Sequence, residues 1–159
     1  MSKVSQTQVS DPVLSLKKAG GLVAGTRVMT MDGELPVEYL NPGDRILTRG
    51  GARVLAAISV RVDHNVDMVR IGSRTLGHDR PHTETLVPLH QMILIRDWRA
   101  LALYDAPQAL VAAGRLADGK MTWVETVAEA RIFTLAFEQD VVIYADGLEL
   151  ACLRETVTA

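Results

Sequence analysis

Residues 27–51 read RVMTMDGELPVEYLNPGDRILTRGG, and no other stretch restricts the fold as much. Short apolar runs alternate here with turn signals. Asp32-Gly33 is a hairpin signal, because both residue types tolerate a positive φ. In Asn41-Pro42-Gly43-Asp44 the proline presets φ and the glycine supplies a left-handed position. Gly50-Gly51 ends the next run. Segments this short, broken this often, make an all-β domain.

The pattern continues through the chain. Thr26–Met31, Glu34–Leu40 and Arg45–Thr48 are strand candidates, with Pro36 confining the second to an edge or a break. Arg53–Val62 reads as a long strand and Val66–Ile71 as its partner. Gly72–Glu84 is polar and rich in breakers, so a surface loop is expected. Thr85–Ile95 is apolar, interrupted at Pro88 and His90, and Trp98–Tyr104 is short and apolar. Ala106–Leu116 is the best helical stretch: Pro107 suits a first turn and Gly114 a cap. Met121–Val124, Arg131–Phe137 and Val141–Ala145 follow as strands, and Asp146-Gly147 turns into Leu148–Leu153.

A chain of 159 residues fits one domain with a core of its own. The formal net charge is −2 and no basic stripe stands out, which argues against nucleic acid as partner. No apolar run approaches the ~20 residues of a membrane-spanning helix. The start, MSKVSQTQVSDPVLSLKKAGG, is polar and lacks the ~7–15-residue apolar segment of a secretory signal. Residues 1–20 are expected to be a flexible leader, and a cytoplasmic location follows, with a non-classical secretion route left open. Cys152 is the one cysteine, which excludes an internal disulfide and a cysteine-rich zinc site.

Residues 21–51 resemble the first block of the Hint domain shared by hedgehog proteins and inteins, most closely the bacterial stand-alone type. Val37-Glu38-Tyr39-Leu40-Asn41-Pro42-Gly43-Asp44-Arg45-Ile46-Leu47-Thr48 fits that family's V-E-x-L-x-P-G-D-x-V-L-T segment. Leu86-Val87-Pro88-Leu89-His90, followed by Met92-Ile93-Leu94, is similar to its V-S/T-P-x-H-x-V-L block. Tyr104–Gly114 is similar to its A-x-x-L-V-x-G element, and residues 131–147 to its terminal block. The resemblance covers residues 21 to about 153, and a Hint-like domain is expected over residues 21–155. It implies an all-β, flattened, pseudo-twofold horseshoe with one short helix. It also implies an acyl-shift chemistry. A leading Cys or Ser attacks the carbonyl before it. The Ser/Thr and His of the second block polarise that amide and protonate its nitrogen, and a terminal-block His or Asp assists later steps.

The positions that would carry this chemistry are altered. Gly21 stands where the nucleophile belongs, and covalent catalysis needs a thiol or hydroxyl that glycine lacks. His90 matches the second-block histidine, but Val87 replaces its Ser/Thr partner. Asp140 stands where the terminal block carries its histidine. The other reading of each is structural: a permissive turn glycine, a relic histidine bonding backbone, an exposed turn aspartate. Cys152 in its apolar run reads as a small buried hydrophobe. His78 and His82 have helical spacing, but Pro81 breaks a helix between them, so no metal site is expected, and no cofactor. The expectation is a Hint-like domain that is inactive in autoproteolysis or splicing and serves as a binding or scaffold module for a protein or peptide. The alternative is a self-processing domain with a non-standard nucleophile, either Cys152 or a water activated by His90. The oligomeric state is left open.

Overall fold

A computed structural model describes residues 20–154. Except for Gly20, the expected leader lies outside the described residues. The described residues form twelve strands in two sheets. In chain order they are β1 (Leu22–Val23), β2 (Arg27–Thr30), β3 (Gly33–Pro36), β4 (Arg45–Thr48), β5 (Gly51–Val54), β6 (Ala57–Ile71), β7 (Thr85–Pro88), β8 (Met92–Ile95), β9 (Ala109–Ala112), β10 (Thr122–Ala136), β11 (Val141–Ala145) and β12 (Leu148–Cys152). The larger sheet runs β9-β8-β12-β11-β2-β4-β5, with β3 beside β2; the smaller runs β1-β10-β6-β7.

The turn chemistry sets the hairpins. Gly33 takes φ 98° opposite Thr30, and Gly51 takes φ 103° opposite Thr48. The two threonines act alike. Thr30 Oγ1 accepts from the Asp32 amide and donates to the Gly33 carbonyl, and Thr48 Oγ1 does the same for Gly50 and Gly51. Gly43 at φ 98° closes the Asn41–Asp44 turn, in which the Asp44 amide donates to the Asn41 carbonyl at 3.0 Å.

The side chains that alternate inward from both sheets make one core. Val28, Ile46, Ile93, Ile143 and Leu150 from the larger sheet meet Leu22, Val69, Ile71, Phe133 and Leu135 from the smaller. A second small cluster joins Met68, Ala130 and Ile132.

Two expectations are corrected. Among the described residues the α-helix is α1, Trp98–Tyr104, and Ala106–Leu116 holds strand β9 and a 3-10 turn. Asp97 starts α1 by accepting from the Arg99 amide at 3.0 Å, and Asp105 ends it in a left-handed conformation. In β9 Val111 is buried and Leu110 exposed, which is a period of two rather than of 3.6. The second correction concerns the long strands. Val66–Ile71 is not the partner of residues 53–62: both segments enter β6, which is preceded by a break after Val54. The partner is β10, which absorbs both Met121–Val124 and Arg131–Phe137 almost whole. Asp63-His64 looks like a turn pair in sequence. It lies inside β6 instead: Asn65 takes φ 50° and the pairing lapses only there, with the same register on both sides, His64–Glu129 and Val66–Val127.

Candidate functional site

The site is built around the peptide bond between Gly20 and Gly21. Strand β1 is only two residues long, and it is laid against Ile132 and Phe133 of β10. Leu22 anchors it in the core, and the Ala24 amide donates to the Arg131 carbonyl at 3.0 Å. Gly21 therefore enters the sheet directly against β10. Its φ is 132°, a conformation that side chains other than glycine rarely adopt. A Cβ at this position would stand 2.5 Å from Ile132 Cγ2 and 2.9 Å from the Phe133 carbonyl oxygen. The position thus lacks a nucleophile and also lacks the room for one.

Two side chains hold this peptide. The Gly21 amide donates to Gln91 Oε1 at 2.7 Å. Gln91 is buried in the turn between β7 and β8, and its Nε2 donates to the carbonyls of Met92 at 2.9 Å and Ala151 at 2.8 Å. Carbonyls only accept, so the amide group has one satisfiable orientation, with its oxygen toward Gly21. On the other side, Arg61 Nη2 donates to the Gly20 carbonyl at 3.2 Å, and Asp63 holds the same guanidinium through Nε at 3.0 Å. Gln91 and Arg61 escaped the sequence reading. The signal for Gln91 was a polar residue heading the apolar run Met92-Ile93-Leu94-Ile95. Arg61 lies in an ordinary alternating strand and gave none.

None of the other expected site residues is hydrogen-bonded to this peptide among the described residues. His90 precedes Gln91, but its side chain is exposed and forms no hydrogen bond among the described residues. Val87 is buried in the core opposite Val69. Asp140 is exposed and accepts from the Arg154 amide at 2.6 Å. Cys152 packs against the core, and burial pushes its thiol up to about 12. Thr26 is buried in the backbone frame of the first hairpin, its carbonyl accepting from the Val37 amide at 2.8 Å. Among the described residues, no group of three or more His, Cys, Asp or Glu side chains is arranged to hold a metal ion. No described helix is long and apolar enough to cross a membrane.

Chemically, the arrangement polarises one carbonyl and fixes one amide. Arg61 places positive charge at an oxygen where charge would develop during attack on that carbonyl. Gln91 has no proton to give to the amide nitrogen, because its oxygen faces it.

A family model described as Hint domain matches residues 21–156. Among solved structures the chain is similar to the gp41-1 intein, at 12% identity and a TM-score of 0.57, over 83% of this chain and 98% of that one. It is similar to a bacterial intein-like domain from Clostridium thermocellum, at 15% identity and a TM-score of 0.57, over 84% of this chain and 99% of that one. It is also similar to the MchDnaB-1 intein, at 12% identity and a TM-score of 0.52, over 82% and 98% of the two chains. No curated protein matches. At these identities the structural likeness speaks for the fold alone.

Proposed function

The chain belongs to the Hint domain family, and from that premise we propose that it keeps the scaffold of a self-processing domain without the reaction and serves as a binding or scaffold module. The observation that carries this reading is the state of the Gly20–Gly21 peptide. An acyl shift there needs a nucleophile on residue 21 and a proton for the departing nitrogen. Residue 21 is a glycine whose backbone conformation and neighbours exclude a Cβ. The group that meets the nitrogen is the acceptor oxygen of Gln91. Both needs go unmet at the one bond the family chemistry would break.

The alternative, processing by a non-standard nucleophile, draws on Arg61, whose hydrogen bond to the Gly20 carbonyl favours attack on it. The candidate nucleophiles weaken it. A thiol pushed up to about 12 is protonated near neutral pH, and among the described residues Cys152 has no basic hydrogen-bond partner to activate it.

The test is incubation of the purified chain with a thiol or with hydroxylamine, followed by intact mass. A thioester or ester at residue 21 would be intercepted by either reagent and release a fragment. The proposal expects the 17.3 kDa species to persist. A reagent-dependent fragment ending at Gly20 would reverse it.

A further inference from the structure

An open cleft of about 610 Å³ lies on the larger sheet, away from the Gly20–Gly21 peptide. None of Gly21, Arg61 and Gln91 lines it. Its apolar lining includes Leu94 of β8, Leu110 of β9, Val142 of β11 and Leu153, just past β12. Leu110 and Leu153 are exposed, at 39% and 53% of their surface. Solvent-facing aliphatic groups gathered in one concavity are a feature of ligand sites.

The polar part of the lining has a sign. Arg49 and Arg53 both face the cleft. Arg53 forms no ion pair among the described residues, and its Nη1 donates only to the neighbouring Ala52 carbonyl. Arg49 is one of three arginines on a single buried carboxylate. Glu149 receives Arg49 at 2.7 Å, Arg80 at 2.7 Å and Arg96 at 2.6 Å. One negative charge thus answers three positive ones. Asp140 is the carboxylate on the cleft wall, and one of its oxygens is engaged by the Arg154 amide. The lining itself carries two arginines, Arg49 and Arg53, against one carboxylate, Asp140, a surplus of one positive charge. The whole chain carries −2. The cleft is therefore locally opposite in sign to the molecule, and that favours an anionic occupant over a second copy of the chain.

The backbone adds a shape. Ala109 and Leu110, on the cleft wall, belong to β9, the terminal strand of the larger sheet. Strand β9 pairs with β8 on one side, and its other edge has no strand partner among the described residues. An extended segment can add to such an edge and place alternate side chains into the adjoining concavity. We propose that this cleft receives an extended peptide segment of a partner protein in which an aliphatic side chain and a carboxylate stand two residues apart, so that both lie on the face toward the concavity. The aliphatic groups meet Leu94, Leu110, Val142 and Leu153, and a carboxylate meets Arg49 and Arg53. This goes beyond the scaffold reading and rests on it only in taking the domain as a binding module.

The experiment is fluorescence anisotropy of three labelled peptides of equal length with the full chain. One repeats Leu-Ser-Glu-Ser, one Leu-Ser-Gln-Ser and one Leu-Ser-Lys-Ser, so that Leu and the test residue share one face of the extended chain. The Leu/Glu peptide is expected to bind saturably, more tightly than Leu/Gln, and to weaken with added salt; Leu/Lys is expected not to bind. Arg53→Glu should weaken Leu/Glu binding by about tenfold or more, while Arg45→Glu, on exposed β4 surface outside the cleft, leaves it unchanged. A second variant, Leu153→Asp, tests the apolar side, and thermal melts show that each variant is folded. Equal binding of the Glu and Lys peptides, no binding, or indifference to Arg53→Glu and Leu153→Asp would overturn the proposal. So would self-association of the chain, seen by light scattering, that occludes the cleft and excludes the peptide. Intact mass of the same samples separates the two readings. A fragment ending at Gly20 refutes the non-processing reading, whereas lost peptide binding with the mass intact refutes only the cleft.

Discussion

Replacing Gly21 by alanine adds one methyl group at the position where the family's reaction would begin. Two costs are expected. The first is conformational: an L-residue held at φ 132° is strained by about 1–3 kcal/mol. The second is steric: the new Cβ would lie 2.5 Å from Ile132 Cγ2 and 2.9 Å from the Phe133 carbonyl. The first neighbour belongs to a buried side chain and the second to backbone in the middle of a paired strand, so neither yields easily. Overpacking of this kind costs about 1–3 kcal/mol. The sum, about 2–6 kcal/mol, lowers the melting temperature by roughly 2–4 °C per kcal/mol in a chain this size. Gly25→Ala is the control. Gly25 also has a positive φ, 94°, but an added Cβ there meets nothing within 4 Å. It incurs the conformational cost alone. Urea unfolding of both variants and the parent gives the difference directly. If Gly21→Ala unfolds with Gly25→Ala, the crowding argument fails; if it unfolds with the parent, the geometry assigned to residue 21 is wrong. Gly21→Cys carries the same Cβ and a further sulfur, so inserting a nucleophile there should cost at least as much.

Three further outcomes follow from the same structure. In Glu149, burial raises the carboxyl pKa, but bonding to Arg96, the charge of Arg80 and bonding to Arg49 outweigh it and hold the net value below the ordinary 4.5. A depressed carboxylate contributes stability above its unfolded value and loses it as pH falls through the folded one. Glu149→Gln should therefore cost about 3 kcal/mol near neutral pH, with the gap to the parent closing below pH 4.5; a gap that stays constant in acid urea titrations would contradict this. Cys152 should resist a thiol reagent at about pH 8 in the native state and react once unfolded, and prompt native labelling would show its sulfur to be neither buried nor protonated. Gln91→Leu keeps the volume but strips the Gly21 amide and the Met92 and Ala151 carbonyls of a partner. It should cost about 2–4 kcal/mol and speed hydrogen exchange at the Gly21 amide; unchanged exchange there would remove Gln91 from the site.

The strand–turn pattern was legible where local chemistry decides it. Gly33, Gly43 and Gly51 take the positive φ their turns require. The sequence misled where tertiary context overrides local signals. Asp63-His64 is written like a turn, yet β10 pairs on both sides of Asn65 in one unshifted register. Ala106–Leu116 has helix formers, but β8 captures Ala109–Ala112 as a strand. The site was half legible. An absent side chain at Gly21 is visible in one dimension. That its neighbours leave no space for a Cβ depends on β10, more than a hundred residues away in sequence, and no local pattern reports it. The same holds for Gln91, whose role comes from three backbone groups distant from one another along the chain.

The central claim is that the Gly20–Gly21 bond remains an ordinary peptide, with no group present to break it. It is tested most directly by fusing a folded reporter ahead of Met1 and following the intact mass of the purified fusion over several days, from mildly acidic to mildly basic pH. The account predicts one species of full mass throughout. A product beginning at Gly21, with the reporter released together with residues 1–20, would contradict it.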